Sequence, residues 1–247
     1  MCLFPIHLLQ ELSGNVDHFC ALENLKVGLE INEQQMNLAL ESIDLHNLSM
    51  MTCLFVGPKN SFSLQNLARL TIIRCEKLKI VFSTSIIRSL PKLYDIRIEE
   101  CNELKHITGD DLKNNNSSNF MSTTKTCFPK LRTLVVIKCN KLKYVFPMFI
   151  CKELPELETL IVREADELEE IFVSEGDDHK AEMPNLKFVA FDNLPSLCDA
   201  QGIHFQAVNR FIHNCQKLSL ASASTKNLQN EIHKFGLGNG THSIQYF

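Results

Sequence analysis

A solenoid of short, stacked β-coils is the fold class predicted by this 247-residue sequence, and three observations predict it. First, one spacing of apolar residues and cysteine recurs: Leu67-x-x-Leu70-x-Ile72-x-x-Cys75-x-x-Leu78, then Leu93-x-x-Ile96-x-Ile98-x-x-Cys101-x-x-Leu104, then Leu131-x-x-Leu134-x-Val136-x-x-Cys139-x-x-Leu142. Second, the frame continues as Leu157, Leu160, Val162, Ala165, Leu168 and as Leu186, Val189, Phe191, Leu194, Leu197, and it reaches back to Leu40, Ile43, Leu45, Leu48, Met51. The first anchors are therefore 27, 26, 38, 26 and 29 residues apart, a near-constant period with one long gap. Third, the apolar pair inside each copy is spaced by two, the alternation of a strand that buries one face.

A period of this size is that of leucine-rich repeats. One coil cannot bury its own apolar face: Leu70 and Ile72 point to one side of a strand, Leu67, Cys75 and Leu78 close the coil around them, and the next coil covers the open end. The expected architecture is an α/β solenoid, a leucine-rich repeat horseshoe with a concave parallel β-sheet and an irregular or short-helical convex side. Each coil touches only its neighbours, so no central core limits the size and one continuous array is sufficient.

Element by element, residues 1–39 follow the frame loosely and are expected as a degenerate repeat or N-terminal edge, with the array at 40–220. The segments Phe82–Pro91 and Phe146–Pro155 match position for position. Each is expected to hold a short helical turn, with Ser83 or Pro147 at its start and Pro91 or Pro155 after its end. The 38-residue gap contains a polar, turn-rich insertion at about 109–126, and a shorter loop occupies 174–182. Residues 207–218 read as a last, irregular coil in which Cys215 takes the cysteine position. In the tail, 221–247, Leu228, Ile232 and Phe235 fall at i, i+4 and i+7, which predicts one short amphipathic helix from about 226 to 235, stopped by Gly236.

Charge narrows the function. Lys and Arg number 25 against 29 Asp and Glu, the net charge is −4, and the two signs are interspersed. The broad basic surface of a phosphate-backbone binder is missing, so nucleic acid is not an expected partner. No stretch approaches the ~18 consecutive apolar residues of a membrane helix. The first residues lack the basic segment of a secretory signal, and Pro5 and His7 interrupt their short apolar run. A cytoplasmic protein without a membrane span is expected, with the nucleus as a second compartment. The ten cysteines suit that setting: Cys75, Cys101 and Cys139 share one repeat position and are expected as a ladder of reduced thiols rather than a disulfide framework. There the sequons at Asn47, Asn115, Asn116 and Asn239 would carry no glycan.

The chain offers no recognisable active site. It has no phosphate loop, no G-x-G-x-x-G, no H-E-x-x-H and no G-x-S-x-G, and only nine glycines. Neither catalysis nor a cofactor is expected. The sharpest metal candidate is Cys198, His204, His213 and Cys215, but neither pair has a usual finger spacing, and a structural role for Cys215 is the better reading. Asp110–Asp111 and Asp177–Asp178 lie in polar loops that lack the ordered oxygen ligands of a calcium loop, so solvated charge is expected.

What remains is the face of the strands. The residues between the buried anchors point outward, and stacking aligns them in columns. One column is Arg69, Asp95, Thr133, Thr159, Phe188; the next is Thr71, Arg97, Val135, Ile161, Ala190; the third is Ile73, Glu99, Ile137, Arg163, Asp192. Charged groups gather in the coils of Arg69 and Asp95, while Val135, Ile137 and Ile161 make a neighbouring apolar area, a mixture suited to a protein partner. Against this stands the plainer reading that β-branched residues are there for strand propensity alone.

The coil wording L-x-x-L-x-[IV]-x-x-C-x-x-L-x-x-[VI]-F has openings such as Leu90-Pro-Lys-Leu93, Phe128-Pro-Lys-Leu131 and Leu154-Pro-Glu-Leu157. Together with the runs Cys75–Phe82 and Cys139–Phe146, it resembles the C-terminal leucine-rich repeats of plant intracellular immune receptors of the coiled-coil, nucleotide-binding class. The resemblance covers about Leu40 to Leu220 and excludes the L-x-G-x-I-P wording of extracellular plant repeats. It implies a module that senses pathogen effectors, or host proteins they modify, and that regulates a nucleotide-binding switch. Nothing in this sequence resembles the switch itself. Two alternatives stay open: a substrate adaptor of a ubiquitin ligase, for which Met1 to Leu40 shows no convincing F-box, and a truncated receptor remnant without activity.

Overall fold

Alternation builds the strands. In Arg69–Ile73, Leu70 and Ile72 are buried while Arg69, Thr71 and Ile73 lie on the other face, and Asp95–Glu99 repeats the pattern around Ile96 and Ile98. The computed structural model describes residues 2–4, 18–22, 36–37, 40–55, 62–83, 86–87, 90–109, 127–147, 150, 154–173, 181–198, 203–204 and 209–218. In chain order the strands are β1 (Cys2–Phe4), β2 (His18–Leu22), β3 (Met36–Asn37), β4 (Ser42–His46), β5 (Cys53–Phe55), β6 (Phe62–Ser63), β7 (Arg69–Ile73), β8 (Ile80–Phe82) and β9 (Asp95–Glu99). They continue as β10 (His106–Thr108), β11 (Thr133–Ile137), β12 (Tyr144–Pro147), β13 (Thr159–Arg163), β14 (Glu170–Val173), β15 (Ala181–Glu182), β16 (Phe188–Asp192), β17 (Ile203–His204) and β18 (Asn209–His213).

Eight of them form one sheet, ordered β18-β16-β13-β11-β9-β7-β4-β2, and every neighbouring pair is parallel. Sequential, parallel, in-register pairing is the solenoid the repeat predicts. Thr133 lies opposite Asp95 on one side and Thr159 on the other, and Leu134 lies between Ile96 and Leu160. The pairing also reaches beyond the six readable copies, since β2 pairs with β4 and β18 with β16.

Tight turns close each coil, and they explain the L-x-x-L and C-x-x-L spacings. The N–H of Leu67 donates to the Leu64 carbonyl at 3.1 Å, and that of Leu78 donates to the Cys75 carbonyl at 3.0 Å; the same bonds recur at Leu131 and Leu142. Between the strand and the repeat's cysteine position, held by Leu48, Ala165 and Leu194 in three coils, stands one residue with left-handed backbone: Asn47, Arg74, Glu100, Lys138, Glu164, Asn193 and Asn214, with φ from 52° to 57°. A side chain there costs roughly 1–2 kcal/mol, least for Asn. The return is a bond between coils: the Arg74 N–H reaches the Glu99 carbonyl, that of Glu100 reaches Ile137 and that of Lys138 reaches Arg163, each at 2.9 Å.

The cysteine then turns inward. Cys75, Cys101 and Cys139 are fully buried free thiols, as the ladder reading expects, each donating to the carbonyl two residues earlier, at 3.7, 3.3 and 3.6 Å. Burial pushes the Cys139 thiol up to about 12, and a hydrogen bond with Cys75 together with burial raises that of Cys101. These are packing groups rather than nucleophiles. Cys53, outside the ladder, is disulfide-bonded, and its partner lies outside the described side chains.

On the second side of the coil the described residues form short parallel strands. A four-stranded sheet runs β1-β5-β8-β10, and β12 pairs with β14. It is interrupted between β10 and β12, where the insertion falls, whereas the eight-stranded sheet passes that point unbroken. At the interruption Phe128 packs between Phe82 and Phe146, with ring centroids at 5.5 and 5.6 Å. The segments expected as helical turns lie largely outside the described residues; within them the Ile86 N–H donates to the Ser83 carbonyl at 3.0 Å. Most of the insertion, the loop from 174 to 180, and the tail with its expected helix also lie outside them. One apolar cluster threads the described coils from Leu40 to Leu197.

Candidate protein-binding face

The columns read from the spacing coincide with the register of the sheet, so the outward residues of successive strands stand side by side. Their accessibility divides the face in two. In the N-terminal half Arg69 is exposed, and Thr71, Ile73, Asp95, Arg97 and Glu99 are half-buried. The Arg97 guanidinium pairs with Glu99 along the same strand. Burial pushes the Asp95 carboxyl up, and Arg97 and Arg69 pull it partly back. This half is an accessible surface of mixed charge.

The C-terminal half is closed. Val135, Ile137, Ile161, Phe188 and Ala190 form a second apolar cluster, separate from the coil interior, with Phe211 packed partly buried against it. Ile161 is 0% exposed and Ile137 8%, so the apolar area expected here as a contact surface is already packed. Thr159 is buried and Thr133 half-buried. Beside the cluster Arg163 grips Asp192 through Nε at 2.9 Å and Nη2 at 2.8 Å, and the other Asp192 oxygen meets His213 Nδ1 at 2.9 Å. Both guanidinium bonds go to one carboxylate oxygen, which leaves the second for the imidazole.

The outer strands add residues that the columns omit. Ser42 and Asp44 continue them at one end, both buried, with half-buried His46; Asn209, Phe211 and His213 continue them at the other. The frame at Leu40 and the irregular last coil carry the signal for both. Other features had no sequence signal. The left-handed residues line a rim at the strand ends, where Glu100 takes Arg74 at 2.8 Å and Lys138 at 3.5 Å. The Arg74 hydrogen bond holds the Glu100 carboxyl below its usual range. A groove of about 730 Å³ follows this rim from Arg74 to Asn193, beside the face rather than on it.

Of the metal candidates, Cys198 donates to the Ser196 carbonyl at 3.4 Å and Cys215 to that of His213 at 3.4 Å, while His213 faces Asp192. Among the described residues no three His, Cys, Asp or Glu side chains converge on a metal position. Likewise, no described helix is long and apolar enough to cross a membrane.

Comparison with known proteins bears on this architecture directly. The family described as plant disease resistance protein RPS2-like, leucine-rich repeats, matches twice, over residues 9–102 and 103–230. The search of curated proteins gave no match. With coil, register and family match agreeing over most of its length, the chain belongs to the leucine-rich repeat region of plant RPS2-like disease resistance proteins.

Proposed function

We propose that this chain is the recognition module of a plant disease resistance receptor, contacting a pathogen effector or an effector-modified host protein through the concave sheet and regulating a nucleotide-binding switch. The observation that carries this reading is the accessible mixed-charge surface of Arg69, Thr71, Ile73, Asp95, Arg97 and Glu99, held on a rigid sheet. Protein interfaces use such polar and charged groups for steering and register, with arginine prominent among the residues that carry binding energy. Thr133, Val135, Ile137, Thr159, Ile161, Arg163, Phe188 and Asp192 complete the proposed face; half-buried Thr133 and Arg163 extend the accessible surface, and the buried remainder chiefly shapes it. The proposed setting is the cytoplasm, and the proposed partner is a protein.

The test is affinity capture from plant extract with the wild-type chain, Arg69→Ala and the double variant Arg97→Ala with Glu99→Ala, with captured proteins identified by mass spectrometry. Removing both members of the Arg97–Glu99 pair avoids stranding one charge. Reduced recovery of a specific protein, with an unchanged thermal melt, is the expected result. Equal recovery by folded variants places recognition elsewhere.

A further inference from the structure

One column of the coil surface departs from the charge pattern of the others. In other columns a cation faces an acid of the neighbouring coil, as Arg74 faces Glu100, Lys130 faces Glu156 and Lys141 faces Glu103. Four residues past the cysteine position, Lys79, Lys105 and Lys143 instead stack three cations in successive coils, each immediately before a short strand, β8, β10 and β12. All three are exposed, and none forms an ion pair with a described carboxylate. The Lys105 N–H donates to the Lys79 carbonyl at 2.9 Å, which fixes these two in adjacent coils, and the pairing of β9 with β11 brings the coil of Lys143 beside them. At ~4.8 Å for each strand spacing, the row is about 10 Å long. Like charges placed side by side repel, and no described group offsets them. Half-buried His106 reports the resulting field: burial lowers its pKa, and Lys105 and Lys143 lower it further.

The row is short and bounded, which selects its occupant. Thr52 precedes Lys79 in the column, while Glu169 follows Lys143, with Glu170 next to it. Anionic membranes are held by clusters of about four to eight cations, and nucleic acids through about six to ten phosphates. Three cations are too few for either, and a wide anionic surface laid over them would meet Glu169 and Glu170. A narrow, extended chain avoids both acids. Carboxylates at its i and i+2 positions stand about 6.8 Å apart on one face, within the length of the row.

We propose that Lys79, Lys105 and Lys143 form a docking strip for an extended acidic segment of a partner protein. The strip lies on the side of the coil away from the concave sheet, so it is a second site, independent of the face proposed above.

The test titrates a synthetic peptide of four Glu-Ser repeats into the full chain at low salt, with four Gln-Ser repeats as the neutral control, and follows the chain by NMR. The acidic peptide should shift the amides of Lys79, Lys105 and Lys143 and raise the His106 titration midpoint, because its charge offsets theirs; the neutral peptide should do neither. The triple variant Lys79→Gln, Lys105→Gln, Lys143→Gln should bind the acidic peptide about tenfold more weakly, the sum expected of three exposed ion pairs. Its melting temperature should be unchanged or higher, because the repulsion is gone. Equal affinity of the wild type and the folded triple variant overturns the proposal. So does a stronger response of the same amides to phosphatidylserine vesicles than to the peptide, because a lipid surface is then the occupant.

Discussion

Replacing Leu134 tests the stacking of coils at its centre. Leu134 is fully buried, in register between Ile96 and Leu160, and the strands on both sides are pinned by ladder hydrogen bonds. Leu134→Ala removes three carbons, about 2.4 kcal/mol at ~0.8 kcal/mol for each buried methylene. The pinned neighbours cannot collapse into the space, so the cavity term brings the loss to about 4 kcal/mol, within the range of ~2.7–5 for such changes. For a chain of this size that corresponds to a fall in melting temperature of about 8–16 °C. Leu134→Asp adds the desolvation of a carboxyl and should abolish cooperative folding around that coil. The control is Thr133→Asn, on the outward side; Asp at Thr133 would lie opposite Asp95 and add like-charge repulsion. Thermal melts by circular dichroism, with hydrogen exchange to locate the loss, provide the assay. A Leu134→Ala melt within ~2 °C of the Thr133→Asn melt would refute the assigned facing of the strand.

Asp95→Asn should raise the melting temperature at neutral pH, because burial lifts its carboxyl and its ionisation costs stability as pH rises through the raised folded value. Glu100→Gln should lower it, because that carboxyl is held down by Arg74 and its contribution is lost as pH falls through the depressed folded value. Both differences should vanish in acid, and melts from neutral to acidic pH check the two signs. Site-mapped alkylation should modify Cys198 and Cys215 in the native protein far faster than Cys75, Cys101 and Cys139, which are sealed; equal rates would contradict the ladder. Glu164→Asn should gain about 0.5–1 kcal/mol in denaturant unfolding, since Asn tolerates the left-handed backbone at this turn better.

The fold was legible because the solenoid repeats its physics in every coil. Leu70, Ile96, Leu134, Leu160 and Val189 stand 26, 38, 26 and 29 residues apart, one period each once the insertion before Leu134 is set aside, so the spacing specifies the register. The left-handed rim was not legible: Arg74, Glu100, Lys138 and Glu164 are poor choices for that backbone, and only Asn47, Asn193 and Asn214 speak for it. The second line of short strands was also missed, because a run such as Ile80–Phe82 is too short for alternation to be distinguished from a turn. For the candidate face, the columns were readable but their accessibility was not. The sequence marks Ile137 and Ile161 as outward; only the packing of Val135, Phe188 and Ala190 around them shows that outward is not exposed.

The central claim, that the N-terminal half of the concave sheet is the recognition surface, is tested most directly by an exchange footprint of the chain with and without its captured protein. Added protection should fall on the amides of Arg69–Ile73 and Asp95–Glu99, which lie on the accessible half, and spare Glu170–Val173 on the opposite side of the coil. Protection confined to Glu170–Val173 and the other short strands, with the concave amides unchanged, would contradict it.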